Sequence, residues 1–251
     1  MIGAFRELGV TNPVTIVRTI RNFARTIWDP TRSDIGQGIG LLVYRGLKDA
    51  SPGDEQALAQ ASPELRALFE ERYDPQLDLE HLATLPDGTL GREWVRFVTD
   101  NGIRPLETLL AFGTPQNLLE YQFRRAYKMH DLMHVVLGAD ASVLGEVRIV
   151  SYSLGQAPSR ATGRVRAPAM ALAVLVMNIG LRRPHEMREA VALAAEWLRV
   201  GERSPWHVAV RVEDWLERPV ADLRAHLLRE DGDRVREVVA RDPLPMAAAI
   251  G

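Results

Sequence analysis

The chain has 251 residues, of which 46% are hydrophobic and 25% charged, with a net charge of −2 at pH 7 and no cysteine. This composition is typical of a globular protein that can bury a substantial core. The balanced charge argues against nucleic-acid binding, and the lack of cysteine excludes disulfides, thiolate ligands and cysteine nucleophiles.

We expect neither a secretory signal nor a membrane-spanning helix. Residues 1–14 lack a basic region followed by an uninterrupted apolar core. The most apolar run, residues 167–180, is shorter than the roughly 20 residues that a spanning helix needs. We therefore expect a cytoplasmic protein that would lie on a membrane surface rather than cross the bilayer.

Helical periodicity dominates, so we predict a single all-α domain over residues 1–251. Residues 13–28 form an amphipathic helix with arginines on its polar face, which either binds anionic lipid or, like most such helices, packs on the core. Proline at 52 and 63 predicts a helical hairpin, and LPDGTLG at 85–91 predicts a loop. Residues 92–102 then predict a helix that buries Trp94, Phe97 and Val98.

The second half of the chain predicts a pair of helices joined by a tight turn. Thr114 is a candidate N-cap for a long helix, which Gly138 would end. Asp140 would cap the next helix, residues 141–155, where Gly145 would permit close helix approach. Further helices are predicted near residues 168–179, 184–200 and 219–229.

The long helix carries His130 and His134, four residues apart on its apolar face, with Asp131 beside them. Buried imidazoles and a carboxylate need partners, and neighbours on one helix face cannot easily satisfy one another. A divalent cation would satisfy them, and two histidines at this spacing are a known zinc-binding arrangement. Glu146 faces back from the next helix. We predict a metal site between these two consecutive helices, although a single histidine on an apolar face is usually only a core residue.

The residue types restrict the metal and its chemistry. Two histidines with carboxylates suit zinc best, with iron or manganese as alternatives, whereas magnesium prefers oxygen ligands. Zinc peptidases carry glutamate after the first histidine, and this chain has the shorter Asp131. We therefore do not predict peptide hydrolysis.

The pattern H-D-x-x-H, eleven residues and E, completed by Glu146, resembles the coenzyme Q (ubiquinone) biosynthesis protein four family. The resemblance covers about residues 80–230. It includes the loop LPDGTLG, the lead-in FRRAYKMHD and a C-terminal W-x-x-x-P-x-x-x-L-R from Trp215 to Arg224. Met133 departs from the family, which commonly has tryptophan there.

The resemblance implies an all-α fold and a catalytic metal site formed by His130, Asp131, His134 and Glu146. It also implies action on a polyprenylated aromatic quinone precursor at the periphery of the inner membrane, together with other quinone-biosynthesis enzymes. The implied reaction is oxidative decarboxylation, in which a hydroxyl replaces the ring carboxylate. The alternative is a non-catalytic, prenyl-lipid-binding scaffold that organises those enzymes, and the sequence leaves open whether the chain forms a homo-oligomer.

Three residues near the motif are candidate substrate contacts. Arg124 and Arg125 could meet a ring carboxylate or a phosphate, although such residues more often form a solvated face. Met133 is the third. An apolar groove for the prenyl tail could be lined by the helix at 168–179, whose long side chains could equally be core: Met170, Leu172, Leu175 and Met177.

Overall fold

A computed structural model describes residues 52–103, 113–156 and 166–228, together with Arg21 and Arg25. These residues form nine α-helices and no β-strand, and an isolated antiparallel bridge joins Thr89 to Pro219. The all-α prediction is confirmed. The predicted amphipathic helix at 13–28 lies outside the described residues, except for its two exposed arginines.

Among the described residues, 3₁₀ turns at 184–186, 207–209 and 212–215 lie between the later helices. None of the described helices is long and apolar enough to cross a membrane. In chain order they are α1 (Pro52–Ala61), α2 (Pro63–Glu70), α3 (Leu79–Ala83), α4 (Leu90–Asp100), α5 (Leu118–Leu137), α6 (Val143–Gln156), α7 (Arg166–Arg182), α8 (Met187–Arg203) and α9 (Val220–Leu228).

Three apolar clusters place α5 and α6 at the centre of the fold. The largest packs α4, α5, α6, α8 and α9 around Trp94, which is fully buried as predicted. A second joins α1 and α2 to the N-terminal end of α5. A third packs α7 and α8 against the N-terminal end of α6 through Val143 and Val147. The two helices that carry the predicted ligands are therefore held on several sides.

Two motifs far apart in sequence pair with each other. The loop at 85–91 bonds to the segment 216–220 through backbone hydrogen bonds, including one of 2.8 Å from the Gly91 N–H to the Leu216 carbonyl. A Cβ on Gly91 would lie 2.6 Å from Leu82 Cδ2 and 3.0 Å from the Leu216 oxygen. Only glycine fits there without a shift, so the loop anchors the C-terminal motif directly against the start of α4.

The start of α5 differs from the prediction. The helix begins at Leu118 and its N-cap is Asn117 rather than Thr114. Asn117 Oδ1 accepts the Glu120 N–H at 2.8 Å, and the Glu120 carboxylate accepts the Gln116 N–H at 2.8 Å. This near-reciprocal arrangement satisfies N–H groups at the helix start. It explains why Asn117, rather than Thr114, caps the helix, although both are good capping residues.

The turn after α5 confirms one prediction and corrects another. Gly138 ends α5 with a left-handed φ of 62°, as expected. The N-cap of α6 is Ser142 rather than Asp140, because the Ser142 hydroxyl accepts the Gly145 N–H at 3.1 Å. The Asp140 carboxylate instead accepts hydrogen bonds from the Ser142 N–H at 3.1 Å and the Ser142 hydroxyl at 2.6 Å.

The residues proposed to line an apolar groove on α7 do not share one environment. Leu172 and Leu175 pack in the third apolar cluster, whereas the side chain of Met177 is exposed. The side chain of Met170 lies outside the described part of the chain. These positions act partly as core, and the groove stays a prediction.

Candidate metal centre

The side chains of His130, His134 and Glu146 converge between α5 and α6. The two Nε2 atoms lie 3.4 Å apart. One carboxylate oxygen of Glu146 lies 3.3 Å from His130 Nε2, and the other lies 3.4 Å from His134 Nε2. The predicted interhelical cluster is therefore present for these three residues, and both histidines present the same ring nitrogen to it.

These distances fit a tetrahedral metal ion. Zinc–nitrogen bonds of about 2.0–2.1 Å place neighbouring ligand atoms of a tetrahedron about 3.3–3.4 Å apart. The separation of the two nitrogens falls in that range, and each nitrogen has a different oxygen of the Glu146 carboxylate at a similar distance. Within 52–103, 113–156 and 166–228, no fourth histidine, cysteine or carboxylate belongs to the group. The described residues thus bring together three candidate ligands.

Hydrogen bonds fix which nitrogen of His134 is free. Its Nδ1 lies 3.2 Å from the Ala139 carbonyl and 3.0 Å from the Asp140 carbonyl. Both partners can only accept, so Nδ1 carries the proton and Nε2 offers a lone pair in the neutral ring. Metal-binding histidines commonly donate their second ring N–H to a carbonyl in this way.

Charge at the site is shared between His130 and Glu146. Burial favours neutral His130, but the facing carboxylate of Glu146 outweighs it and raises the pKa of His130 to about 9. Burial also favours neutral Glu146, yet the two histidines hold the pKa of its carboxyl well below the usual range. In the metal-free protein at pH 7, a protonated His130 therefore pairs with an ionised Glu146. A metal ion would replace that proton.

Asp131 is not part of the three-residue group. Burial raises the pKa of its carboxyl, although the nearby charges of His130 and His134 lower it in part. The carboxyl is thus within electrostatic range of the site. Its role as a metal ligand stays a prediction, and it could instead orient a histidine from beside the centre.

The centre is closed on one side and open on the other. The side chain of His134 is only 2% exposed and stacks on the Phe97 ring, with centroids 5.0 Å apart. The side chain of His130 is 35% exposed. A ligand would therefore approach from the side of His130.

The structure places Arg125 in a buried ion cluster. Its guanidinium pairs with the Glu213 carboxylate at 3.0 and 3.2 Å and donates to the carbonyls of Val208 and Val210. Lys128 shares the same carboxylate at 3.0 Å. Sequence reasoning missed Glu213, which is 88 positions away along the chain. These contacts give Arg125 a structural role, and substrate contact by it stays a prediction.

The other two candidate substrate contacts also have partners within the protein. Arg124 pairs with Asp74 at 2.7 Å and donates to the Gly113 carbonyl at 2.8 Å. Met133 is fully buried in the largest apolar cluster. Neither is brought into the group of three ligands, and their contact with substrate remains a prediction.

Two arginines that were not predicted as site residues hold the last turn of α5. Arg224, on α9, donates to the carbonyls of Val135 at 2.8 Å and Val136 at 2.7 Å. Arg148, on α6, donates to the Gly138 carbonyl at 2.7 Å. Carbonyls at a helix end lack intrahelical partners, so these cations stabilise the turn that contains His134. Arg224 belongs to the C-terminal motif, which gives that motif a physical role.

Similar proteins connect this centre to one family. Residues 58–231 match the family model described as "Coenzyme Q (ubiquinone) biosynthesis protein Coq4". Among solved structures, a putative ubiquinone biosynthesis protein from Nostoc punctiforme has the same fold, with a TM-score of 0.62 at 24% identity. That match covers 84% of this chain and 96% of the other.

Curated relatives agree with the family match. A protein of Rattus norvegicus named "Ubiquinone biosynthesis protein COQ4 homolog, mitochondrial" is 28% identical over 80% of this chain and 72% of its own length. A Xenopus tropicalis protein of the same name is 33% identical, over 48% of this chain. That match spans less than half of the Xenopus protein, 43% of its length. Because the family model covers more than half of the chain, this protein belongs to the coenzyme Q (ubiquinone) biosynthesis protein Coq4 family.

Proposed function

We propose that the chain acts in ubiquinone biosynthesis as a metal-dependent enzyme that oxidatively decarboxylates a polyprenylated aromatic ring. Family membership supports the pathway. The observation that carries the enzymatic proposal is the cluster of His130, His134 and Glu146, which brings together three candidate ligands with the two imidazole nitrogens at tetrahedral spacing. Structural zinc sites usually have four protein ligands, whereas catalytic sites have three and an open position.

His130, His134 and Glu146 would hold the divalent ion. Zinc fits the spacing, and iron or manganese also accept two histidines and a carboxylate. When bound, such an ion would supply Lewis acidity toward an oxygen of the substrate. The carbonyls of Ala139 and Asp140 keep His134 in the required tautomer.

The proposed reaction balances with dioxygen as the oxidant. The bond between the ring and its carboxylate carbon breaks, carbon dioxide leaves, and a carbon–oxygen bond forms in its place. The ring compound loses two electrons to dioxygen and water supplies the hydroxyl oxygen, so that the ring carboxylic acid, water and dioxygen give the ring hydroxyl, carbon dioxide and hydrogen peroxide. Asp131, beside the centre and with a raised pKa, is suited to hold or pass a proton near the substrate oxygen.

An exposed apolar surface supports access for a prenylated substrate from a bilayer. Among the described residues, the exposed large hydrophobic side chains are Met177, Leu181 and Val191, all on α7 and α8. These two helices pack on the N-terminal end of α6, the end that carries Glu146. The packing of these helices beside Glu146 supports the proposal that a lipid substrate arrives over their exposed apolar side chains.

Vesicle flotation tests the proposed membrane contact. Leu181→Asp should reduce binding to vesicles of phosphatidylcholine and phosphatidylglycerol, because it places a charge on the apolar surface. The control is Ala57→Asp, which adds the same charge at an exposed position on α1. Equal binding of both variants and the wild type would contradict the proposed contact.

A rescue experiment tests the enzymatic proposal. A bacterial strain that lacks its own family member receives the wild-type gene, Glu146→Ala or Glu217→Ala, with protein levels confirmed equal. Glu217 is an exposed glutamate that pairs only with His81 at the surface in the described structure. Mass spectrometry then measures the quinone and its carboxylated polyprenyl precursor.

We expect the wild type and Glu217→Ala to clear the carboxylated precursor and Glu146→Ala to let it accumulate. If Glu146→Ala restores the quinone as well as the wild type does, the metal centre is not needed for turnover. That result would favour the alternative, a prenyl-lipid-binding scaffold for the other pathway enzymes.

A further inference from the structure

We infer that Gly145 is a positioning residue for the metal centre. Its missing side chain lets the Asp140 carbonyl lie against α6, where this carbonyl accepts the Nδ1–H of His134 and so directs Nε2 toward the metal. This inference rests on the metal site of the proposed function. It assigns Gly145 a role different from the close helix approach that the sequence predicted.

The space beside Gly145 is occupied by the backbone of the preceding turn. A Cβ at this position would lie 2.0 Å from the Asp140 carbonyl oxygen, 2.6 Å from Asp140 Oδ1 and 2.9 Å from the carbonyl carbon. Real Cβ contacts essentially never fall below 3.0 Å. Because the nearest atom belongs to the backbone, a side chain here must displace the turn itself.

The turn is also held from its other side. Asp140 Oδ1 accepts the backbone N–H and the hydroxyl of Ser142, and the Ser142 hydroxyl in turn accepts the Gly145 N–H at 3.1 Å. These bonds tie Asp140 to the first turn of α6. They hold the carbonyl of Asp140 beside Gly145, where no side chain stands in its way.

A side chain on residue 145 would displace the Asp140 carbonyl, which makes the shorter of the two hydrogen bonds of His134 Nδ1. The Asp140 oxygen lies at 3.0 Å and the Ala139 oxygen at 3.2 Å. Losing the Asp140 contact would loosen both the tautomer and the orientation of the ring. Loss of such an outer hydrogen bond to a metal-binding histidine typically lowers metal affinity about 10- to 100-fold.

A matched control exists on the same helix. A Cβ on Gly155 would lie 2.1 Å from the Leu198 carbonyl oxygen and 3.0 Å from the Glu202 nitrogen. Gly155→Ala therefore creates a similar backbone clash, but between α6 and α8 and ten residues after Gly145 along the chain. It should destabilise the fold without changing the turn that contacts His134.

The test compares wild type, Gly145→Ala and Gly155→Ala. Thermal unfolding measures stability, competition with a chelator measures zinc affinity, and ¹⁵N NMR of the imidazoles reports the His134 tautomer in the metal-free protein. We expect both variants to unfold at lower temperature. Only Gly145→Ala should lose about 10- to 100-fold in zinc affinity and lose the Nδ1-protonated form of His134.

Three outcomes would overturn the inference: unchanged zinc affinity in Gly145→Ala, an equal loss in Gly155→Ala, or a loss with the His134 tautomer unchanged. The third would assign the effect to Glu146 instead. If the wild type binds none of zinc, iron and manganese, the metal proposal fails, while the tautomer comparison still decides the role of Gly145.

A second variant covers the case in which Gly145→Ala does not fold. Ser142→Ala removes the hydroxyl that donates to Asp140 Oδ1 and accepts the Gly145 N–H, without adding an atom. The backbone N–H of residue 142 keeps its bond to Asp140 Oδ1. The substitution should also reduce the Nδ1-protonated fraction of His134, and a wild-type tautomer in Ser142→Ala would contradict the inference.

Discussion

Two groups of charged side chains on α5, called here the arginine end and the histidine end, are arranged in opposite ways. At the arginine end, in the middle of the helix, Arg125 and Lys128 share the carboxylate of Glu213, and backbone carbonyls and Asp74 accept further donors. At the histidine end, His130 and His134 point the same ring nitrogens at each other and at Glu146. In the first cluster donors meet acceptors, whereas in the second two imidazole nitrogens and a carboxylate converge on one proton, that of protonated His130.

The difference shows which buried charges indicate function. Both clusters combine bases with carboxylates, so residue type does not separate them. The side chains of the arginine cluster are almost fully buried, whereas those of His130 and Glu146 are 35% and 22% exposed. A cluster that satisfies its own hydrogen bonds needs nothing further and acts as structure. A cluster in which several lone pairs converge on one proton can exchange that proton for a metal ion, which is why only the histidine end of α5 indicates a ligand.

Removing the carboxylate from the self-satisfied cluster should have the largest effect on stability. Glu213→Ala leaves Arg125 and Lys128 buried without their shared partner, which we expect to cost about 3–5 kcal/mol. Urea unfolding measures the change in the free energy of unfolding. Glu217→Ala, at an exposed surface pair, should change it by less than about 1 kcal/mol. Equal effects of the two substitutions would show that the cluster does not stabilise the fold.

Removing the carboxylate at the other end should affect metal binding more than folding. Glu146→Gln preserves shape but replaces an anionic ligand by a neutral amide, so zinc affinity should fall by more than about 100-fold. The metal-free variant should lose far less stability than Glu213→Ala, because no fully buried cation is left unpaired. Chelator competition measures the zinc affinity, and urea unfolding measures the free energy of unfolding of the metal-free variant. Zinc affinity equal to that of the wild type would exclude Glu146 as a ligand.

The sequence predicted the histidine end better than the arginine end for a physical reason. His130 and His134 are neighbours on one helix, and Glu146 follows after a tight turn, so local periodicity brings them together. The partner of Arg125 is Glu213, whose approach depends on the whole fold. Without that partner, a buried arginine and a substrate-binding arginine have the same local pattern.

Helix ends were harder to predict than helix faces. Thr114 and Asn117 are both good capping residues, and the choice depended on where Glu120 could close the turn. Asp140 and Ser142 compete in the same way before α6. Local propensity identifies the candidate N-cap residues, but hydrogen bonds within the folded turn determine which of them caps the helix.

The buried His207 feels the charge of both clusters and gives a pH dependence. Burial, together with the charges of Arg125 and His130, lowers its pKa to about 3. Its Nδ1 lies 2.5 Å from Gln156 Oε1. Between the unfolded pKa of about 6.5 and the folded value, the unfolded chain binds a proton that the folded protein does not.

His207 therefore stabilises the fold fully above about pH 6.5 and loses that contribution as the pH falls toward 3. In that window, we expect His207 to lower the free energy of unfolding by about 1.4 kcal/mol for each unit by which the pH falls. Urea unfolding at pH 7 and pH 5.5 should show a smaller loss for His207→Gln than for the wild type. His185→Gln, at an exposed histidine, is the control and should keep the wild-type dependence.

The smallest expected effect tests whether the two ends of α5 act independently. Asn117→Ala removes the observed cap and should lower the free energy of unfolding by about 1 kcal/mol, whereas Thr114→Ala, at the residue first predicted as the cap, should have almost no effect. Zinc affinity should stay at the wild-type value in both, because the cap lies at the end of α5 away from the histidines. A matching loss of zinc affinity in Asn117→Ala would show that the helix transmits the change along its length, and the metal centre would then depend on the structural end of α5 as well as on its own turn.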